Sequence, residues 1–118
     1  MIGSSRAVRV FARNGPTDLR KGFDGLYTLV VHELGHDPLK GDLHLFVNKR
    51  RTSAKVLLWD GTGLCVYAKR LSRKRFSKLW EDVSRGRPLR LTHAELQLFL
   101  EGADVASRLP ISPEEIYI

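Results

Sequence analysis

The stretch Val56-Leu57-Leu58-Trp59-Asp60-Gly61-Thr62-Gly63-Leu64-Cys65-Val66-Tyr67 leaves the chain few ways to fold. Two apolar runs rich in β-branched and aromatic residues flank four turn residues, and Gly accepts the positive φ that tight hairpin turns demand. The pattern predicts a hairpin with strands at about 54–60 and 64–70. Val56 and Leu58 point one way and Leu57 and Trp59 the other. The first strand is therefore apolar on both sides, as a central strand covered on both faces would be. Trp59 reads as core, and Asp60 as the first turn residue, its carboxylate bonding nearby backbone N–H groups.

This hairpin is embedded in positive charge. Nine of the twenty Lys and Arg residues lie between Lys49 and Arg75, with Asp60 as the single acid in that window. Net charge is +4 over residues 49–55, −1 over 56–68 and +7 over 69–90, against −4 over 91–118. A folded cationic hairpin points to a polyanion, and nucleic acid is the expected partner.

The remaining elements follow from periodicity. Val8, Val10 and Ala12 alternate with Arg9 in a short strand over 7–12, and Asn14-Gly15-Pro16 is a turn. Thr17 has the chemistry of an N-cap, with Asp18 at the positive end of a helix over 18–34. Leu19, Phe23, Leu26, Val30 and Leu34 form its apolar stripe, and Gly35 with Asp37-Pro38 closes it. Leu43, Leu45 and Val47 alternate with His44, Phe46 and Asn48 in another strand. Residues 72–82 allow a short basic helix with Phe76, Leu79 and Trp80 inward, broken at Arg85-Gly86-Arg87-Pro88. Thr92-His93-Ala94-Glu95 has capping-box spacing and opens a helix over 93–101 that ends at Gly102. The expected fold is a single α+β domain over 1–102, an antiparallel sheet of about four strands packed by two or three helices. Residues 103–118, with Pro110 and Pro113, read as a loosely ordered acidic tail.

Composition excludes several classes. A lone Cys65 forbids an internal disulfide and a cysteine-built zinc site, and suits a reducing cytoplasm. No apolar run is long enough to span a membrane, and the first residues lack a signal-peptide core. His32, His36 and Asp37 have loose ligand spacing, but Gly35 separates the histidines and no further ligand is apparent. Asp18, Asp24 and Asp60 do not assemble into a metal-nuclease pattern, because two of them have turn or helix-start uses. No phosphate loop, dinucleotide fingerprint or nucleophile elbow is present. The expectation is a non-enzyme without metal or cofactor.

Candidate phosphate-binding residues are Arg20, Lys21, Lys49, Arg50, Arg51, Lys55, Lys69, Arg70, Arg73, Lys74 and Arg75. Gly22 and Gly25 lie inside the first helical pattern, where each costs on the order of 1 kcal/mol relative to Ala. Close packing of that helix on the sheet explains them structurally; approach of a phosphate backbone to the helix N-terminus explains them functionally.

An ordered set of motifs resembles one family. It comprises Thr17-Asp18-Leu19-Arg20-Lys21-Gly22-Phe23-Asp24-Gly25-Leu26, then Asp37-Pro38 with Gly41, then Asn48-Lys49-Arg50-Arg51. Lys55, Trp59-Asp60-Gly61-Thr62-Gly63, Lys69-Arg70-Leu71, Arg75-Phe76 and a Leu-rich helix ending at Glu101-Gly102 complete it. From about residue 8 to residue 102 the chain resembles the small TnpB accessory proteins encoded by the second open reading frame of insertion-sequence-66 transposable elements. They are unrelated to the RNA-guided nuclease of that name. The resemblance implies a bacterial protein that assists transposition while a separate transposase performs strand transfer, so it carries over no catalytic residues. The expected partners are DNA, contacted through its backbone, and alternatively the transposase or a sister accessory protein met by an adapter without direct DNA contact. The acidic C-terminal quarter, with Glu95, Glu101, Asp104, Glu114 and Glu115, motivates the adapter reading.

Overall fold

In the computed structural model, residues 7–80 and 87–103 are described. Among them five strands form one sheet: β1 (Val10–Ala12), β2 (Leu43–Val47), β3 (Ser53–Trp59), β4 (Leu64–Arg70) and β5 (Leu89–Leu91), in the spatial order β4-β3-β2-β1-β5. Two helices accompany them, α1 (Phe23–His32) and α2 (His93–Leu100). The α+β class holds, with one strand more than the sequence pattern indicates. The sheet is also mixed: β1 runs parallel to β2, and every other pairing is antiparallel. A parallel pair needs a long crossover, and the thirty residues from β1 through α1 to β2 supply it.

The two faces of the sheet build two cores. Val10 and Ala12 of β1, Leu45 and Val47 of β2, Ala54 and Val56 of β3, and Leu91 of β5 meet Leu96 and Phe99 of α2 together with Phe76 and Leu79. The opposite face presents Phe46 and Leu57 to Leu26, Leu29 and Val30 of α1, with Leu34 beside them. Alternation along each strand thus divides the apolar side chains between two helices. β3 is covered on both faces, as its two-sided pattern predicts, but β2 occupies the middle of the sheet. Trp59 is only partly buried, at the β3 terminus beside the turn, so it is not the core residue its size indicates.

Several boundaries differ from the sequence reading. α1 begins at Phe23 rather than residue 18, and its N-cap is Gly22, which offers no side-chain bond. Thr17 is buried and its N–H donates to Val47 O at 2.8 Å, so it ties the preceding loop to β2 instead of capping a helix. Asp18 accepts from the backbone N–H and guanidinium of Arg20, closing a local turn. Gly35, at φ +67°, lies two residues beyond the helix C-cap, Glu33, where it reverses the chain. The capping box of α2 is present as read: Thr92 accepts from Glu95 N–H at 3.0 Å and Glu95 accepts from Thr92 N–H at 2.7 Å.

Residues 72–80 form no helix. They are an irregular strap whose Phe76 is fully buried and stacks on Phe99, ring centroids 4.9 Å apart. Residues 81–82 of the expected basic helix, the first half of the Arg85-Gly86-Arg87-Pro88 break and nearly all of the C-terminal tail lie outside the described residues.

A candidate nucleic-acid interface

One end of the sheet collects loops from three parts of the chain. The β2–β3 loop is fixed by Asn48, whose Oδ1 accepts from the N–H groups of Thr52 and Ser53 at 2.9 and 3.1 Å while Nδ2 donates to Thr52 Oγ1. Arg51 enters the left-handed region at φ 59°. This compact turn leaves Lys49 and Arg50 exposed at its tip. The loop before α1 is held alongside by Thr17 and by Arg13, whose N–H donates to Leu45 O and whose guanidinium donates to Pro16 O and Glu33.

Between these loops opens a hollow of about 760 Å³, lined by residues of the Pro16–Arg20 stretch together with Asn48, Lys49, Arg50 and Ser53. A second, of about 350 Å³, is lined by Leu19, Ser53, Ala54, Lys55, Ala68, Lys69 and Arg70. The hollows share Leu19 and Ser53, so they adjoin as one open trough across the sheet end. The β3–β4 register explains the second one: Ser53 faces Arg70 and Lys55 faces Ala68, which puts Lys55 and Arg70 on the same sheet face. Lys55 Nζ donates to Lys21 O at 3.0 Å, drawing the ammonium toward the start of α1.

The electrostatics are almost uniformly positive. The Arg20 guanidinium beside Asp18, bonded through Nη2 at 2.7 Å, holds the Asp18 carboxyl well below the usual carboxylate range. That carboxylate is the acid lining the first hollow, against Arg20, Lys49 and Arg50. The N-terminal end of α1, without a side-chain cap, adds the positive end of its dipole.

Of the eleven residues expected from the sequence, six line the trough: Arg20, Lys49, Arg50, Lys55, Lys69 and Arg70. Lys21 contributes its carbonyl to Lys55. Arg51 turns away: Nη1 donates to Phe76 O at 3.2 Å and its own carbonyl accepts from Phe76 N–H at 2.7 Å, fastening the strap. Arg73, Lys74 and Arg75 are exposed on that strap and line neither hollow. Lys69 and Arg70 both border the second hollow, but they alternate across β4: Arg70 shares a face with Lys55, whereas Lys69 pairs with Ala54 on the opposite face. Asn48 and Leu19 carry no charge and are not among the candidates, whereas Ser53 is one of the two hydroxyls of the basic loop; the Asn48 side chain before that loop is the signal for such a turn.

Neither glycine is explained by close packing of the helix on the sheet. Gly22 has open space where a side chain would go, whereas a Cβ on Gly25 would stand 2.8 Å from Lys21 Cβ. Gly25 therefore admits the stem of Lys21, not the sheet.

Other candidate groups have structural roles. Asp60 accepts from Thr62 N–H, Thr62 Oγ1 and Gly63 N–H at 2.9–3.0 Å, and these bonds, led by the Thr62 N–H, hold its pKa at about 2. Burial, with Asp60 nearby, pushes the Cys65 thiol up. His36 joins His44 across 3.3 Å rather than His32, and no cluster of three or more metal-binding side chains occurs among the described residues.

The fold and trough together define a small α+β domain with one cationic end and no described helix long and apolar enough to cross a membrane. A family model for IS66 Orf2-like proteins matches residues 8–109, and the chain belongs to that family. It is therefore a TnpB-type accessory protein of insertion-sequence transposition. It is 36% identical over 104 residues to the uncharacterised protein y4hO of Sinorhizobium fredii, covering 88% of each chain. It is 35% identical to a second uncharacterised protein of that organism, y4jC, over 88% of this chain and 86% of the relative. No solved structure matches.

Proposed function

We propose that this protein is a non-catalytic transposition factor that binds DNA by laying the phosphate backbone in the cationic trough. The carrying observation is convergence: Arg20, the pair Lys49 and Arg50, and the trio Lys55, Lys69 and Arg70 come from three chain segments and line adjoining hollows. Solubility requires charge, but not charge gathered at one end around a concave surface. Arg forks and Lys ammonium groups suit phosphate oxygens, and Ser53 adds a hydroxyl. Backbone contact positions DNA without reading its sequence.

Electrophoretic mobility shift over a salt series tests this reading. Binding at low salt that weakens steeply is expected, with a log–log slope of about −5 if all six cations neutralise a phosphate. Absence of binding at low salt, or affinity indifferent to salt, overturns it.

A second reading is favoured by α2. It lies on the sheet face opposite α1, carries Glu95 and the following Glu101, and leaves Leu98 39% exposed. An acidic surface with an apolar residue suits an adapter for the transposase or a sister accessory protein. A pull-down of either partner that survives Lys49→Glu with Arg50→Glu, together with no DNA shift by the unaltered protein, selects the adapter. Arg51 is left intact in this test because its bonds to the strap make it structural.

A further inference from the structure

The hairpin that shapes the trough ends the sheet. β4 is an edge strand of seven residues, and no described strand pairs its outer side. The β3–β4 ladder determines which groups face outward. Asp60 N–H donates to Gly63 O and Leu71 N–H donates to Thr52 O, so the hydrogen-bonded positions of β4 are 63, 65, 67, 69 and 71. Antiparallel pairing alternates. The N–H and C=O groups of Leu64, Val66, Ala68 and Arg70 therefore point out of the sheet. At the opposite edge, β5 has only three residues. Long unpaired edges are templates for pairing with another strand, and proteins that stay single blunt them with bulges, prolines or charges. β4 contains neither Pro nor Gly, and its two charges, Lys69 and Arg70, sit at one end.

We infer that β4 is a self-association edge: two copies of this chain join antiparallel through β4, centred on Tyr67, into one continuous ten-stranded sheet. Charge and register select this occupant. Only the register centred on Tyr67 engages all four outward-facing residues of each strand, pairing Val66 with Ala68 and Leu64 with Arg70 of the second copy. A shift by one residue in the centre leaves one of the four unmatched on each strand. In the Tyr67 register Lys69 lies opposite Cys65, and the like charges stay at opposite ends. Tyr67, half exposed on the separate chain, meets its copy at a position where side chains approach closely. A parallel partner would set Lys69 and Arg70 against like charges.

The two-fold axis of such a pair is perpendicular to the sheet, so both troughs emerge on one side. The Arg70 positions of the two copies are offset by six residues, roughly 20 Å along the strands. The association itself does not depend on what the trough binds.

Sedimentation equilibrium of the full chain without DNA, over a wide concentration range, is the test. A monomer–dimer equilibrium is expected, and Tyr67→Lys, which sets like charges across the axis without touching a backbone bond, shifts it to monomer. In a Cys65→Ser background, Tyr67→Cys gives a disulfide-linked dimer under mild oxidation, because Cα atoms at such a position lie about 4.5 Å apart, within disulfide reach. Leu64→Cys in that background, whose partner in this register is Arg70, gives none. A monomer at every concentration overturns the inference. So does a dimer indifferent to Tyr67→Lys, which uses another surface, or a failure of Tyr67→Cys to cross-link while the dimer persists.

Discussion

His44 is almost wholly buried on β2, against the ring of Phe11 and 3.3 Å from His36 Nδ1, and its own Nδ1 has no partner. An orphaned N–H costs more than an unused lone pair, so the favoured tautomer donates from His44 Nε2 to His36 and leaves His44 Nδ1 bare. Protonation would create a buried N–H with no acceptor. Burial, then His36, hold the His44 pKa down to about 4; Asp42 pulls the other way, and Arg9 adds repulsion. The unfolded chain binds this proton near 6.5, the folded chain only near 4. The stabilisation is therefore complete above pH 6.5 and is lost as the pH falls toward 4, by about 3 kcal/mol for this gap. Urea unfolding across this window should show stability declining with acidity, and His44→Gln should flatten the decline. Two neighbouring arginines make a second contrast at this scale. Arg51→Ala, which unfastens Phe76 O, should lower stability by about 1–2 kcal/mol in the same assay. Arg50→Ala, at an exposed loop tip, should leave stability unchanged and weaken DNA binding.

The strap over residues 72–80, entered through Leu71, shows how an element without regular structure is still fixed. Leu71 N–H and Phe76 N–H donate to the carbonyls of Thr52 and Arg51, and Phe76 enters the core against Phe99. Phe76→Ala should cost about 3–5 kcal/mol in chemical denaturation, because it empties a fully buried site. Thr92→Ala should cost about 1 kcal/mol, through the α2 cap. These two elements differ in how far the sequence reveals them. The α2 cap and the hairpin turn are written in adjacent residues: Thr92 with Glu95, and Asp60 with Thr62 and Gly63. The strap copies helical spacing in Phe76, Leu79 and Trp80, but its backbone bonds go to a distant loop that local periodicity does not register. β5 is three residues long, too short for alternation to stand out, and exists because Arg90 and its neighbours pair with β1. The parallel β1–β2 pair follows strand–helix–strand order, which outweighs the hairpin rule applied to the rest of the sheet. The start of α1 was displaced because Thr17 and Asp18, good capping residues, are engaged by Val47 and Arg20 instead.

At the scale of the whole molecule, the cationic end was legible as a concentration of charge but not as a shape. Sequence proximity groups Arg51 and Arg73–Arg75 with Lys49 and Arg50, whereas the fold gives Arg51 to the strap and sets Arg20, a candidate from a separate loop, beside Lys49 and Arg50. The trough depends on β3–β4 register and on the Asn48 turn, and neither can be read from charge alone. The central claim is that the trough residues neutralise DNA phosphates. Its most direct test is the salt slope of DNA affinity, measured by fluorescence anisotropy for the unaltered protein and for the double variant Lys49→Ala with Arg50→Ala. Each lost phosphate contact reduces the slope by about 0.9, so the double variant should bind more weakly with a log–log slope shallower by about 2. An unchanged slope in the double variant, or unaltered protein whose binding does not respond to salt, would contradict the account.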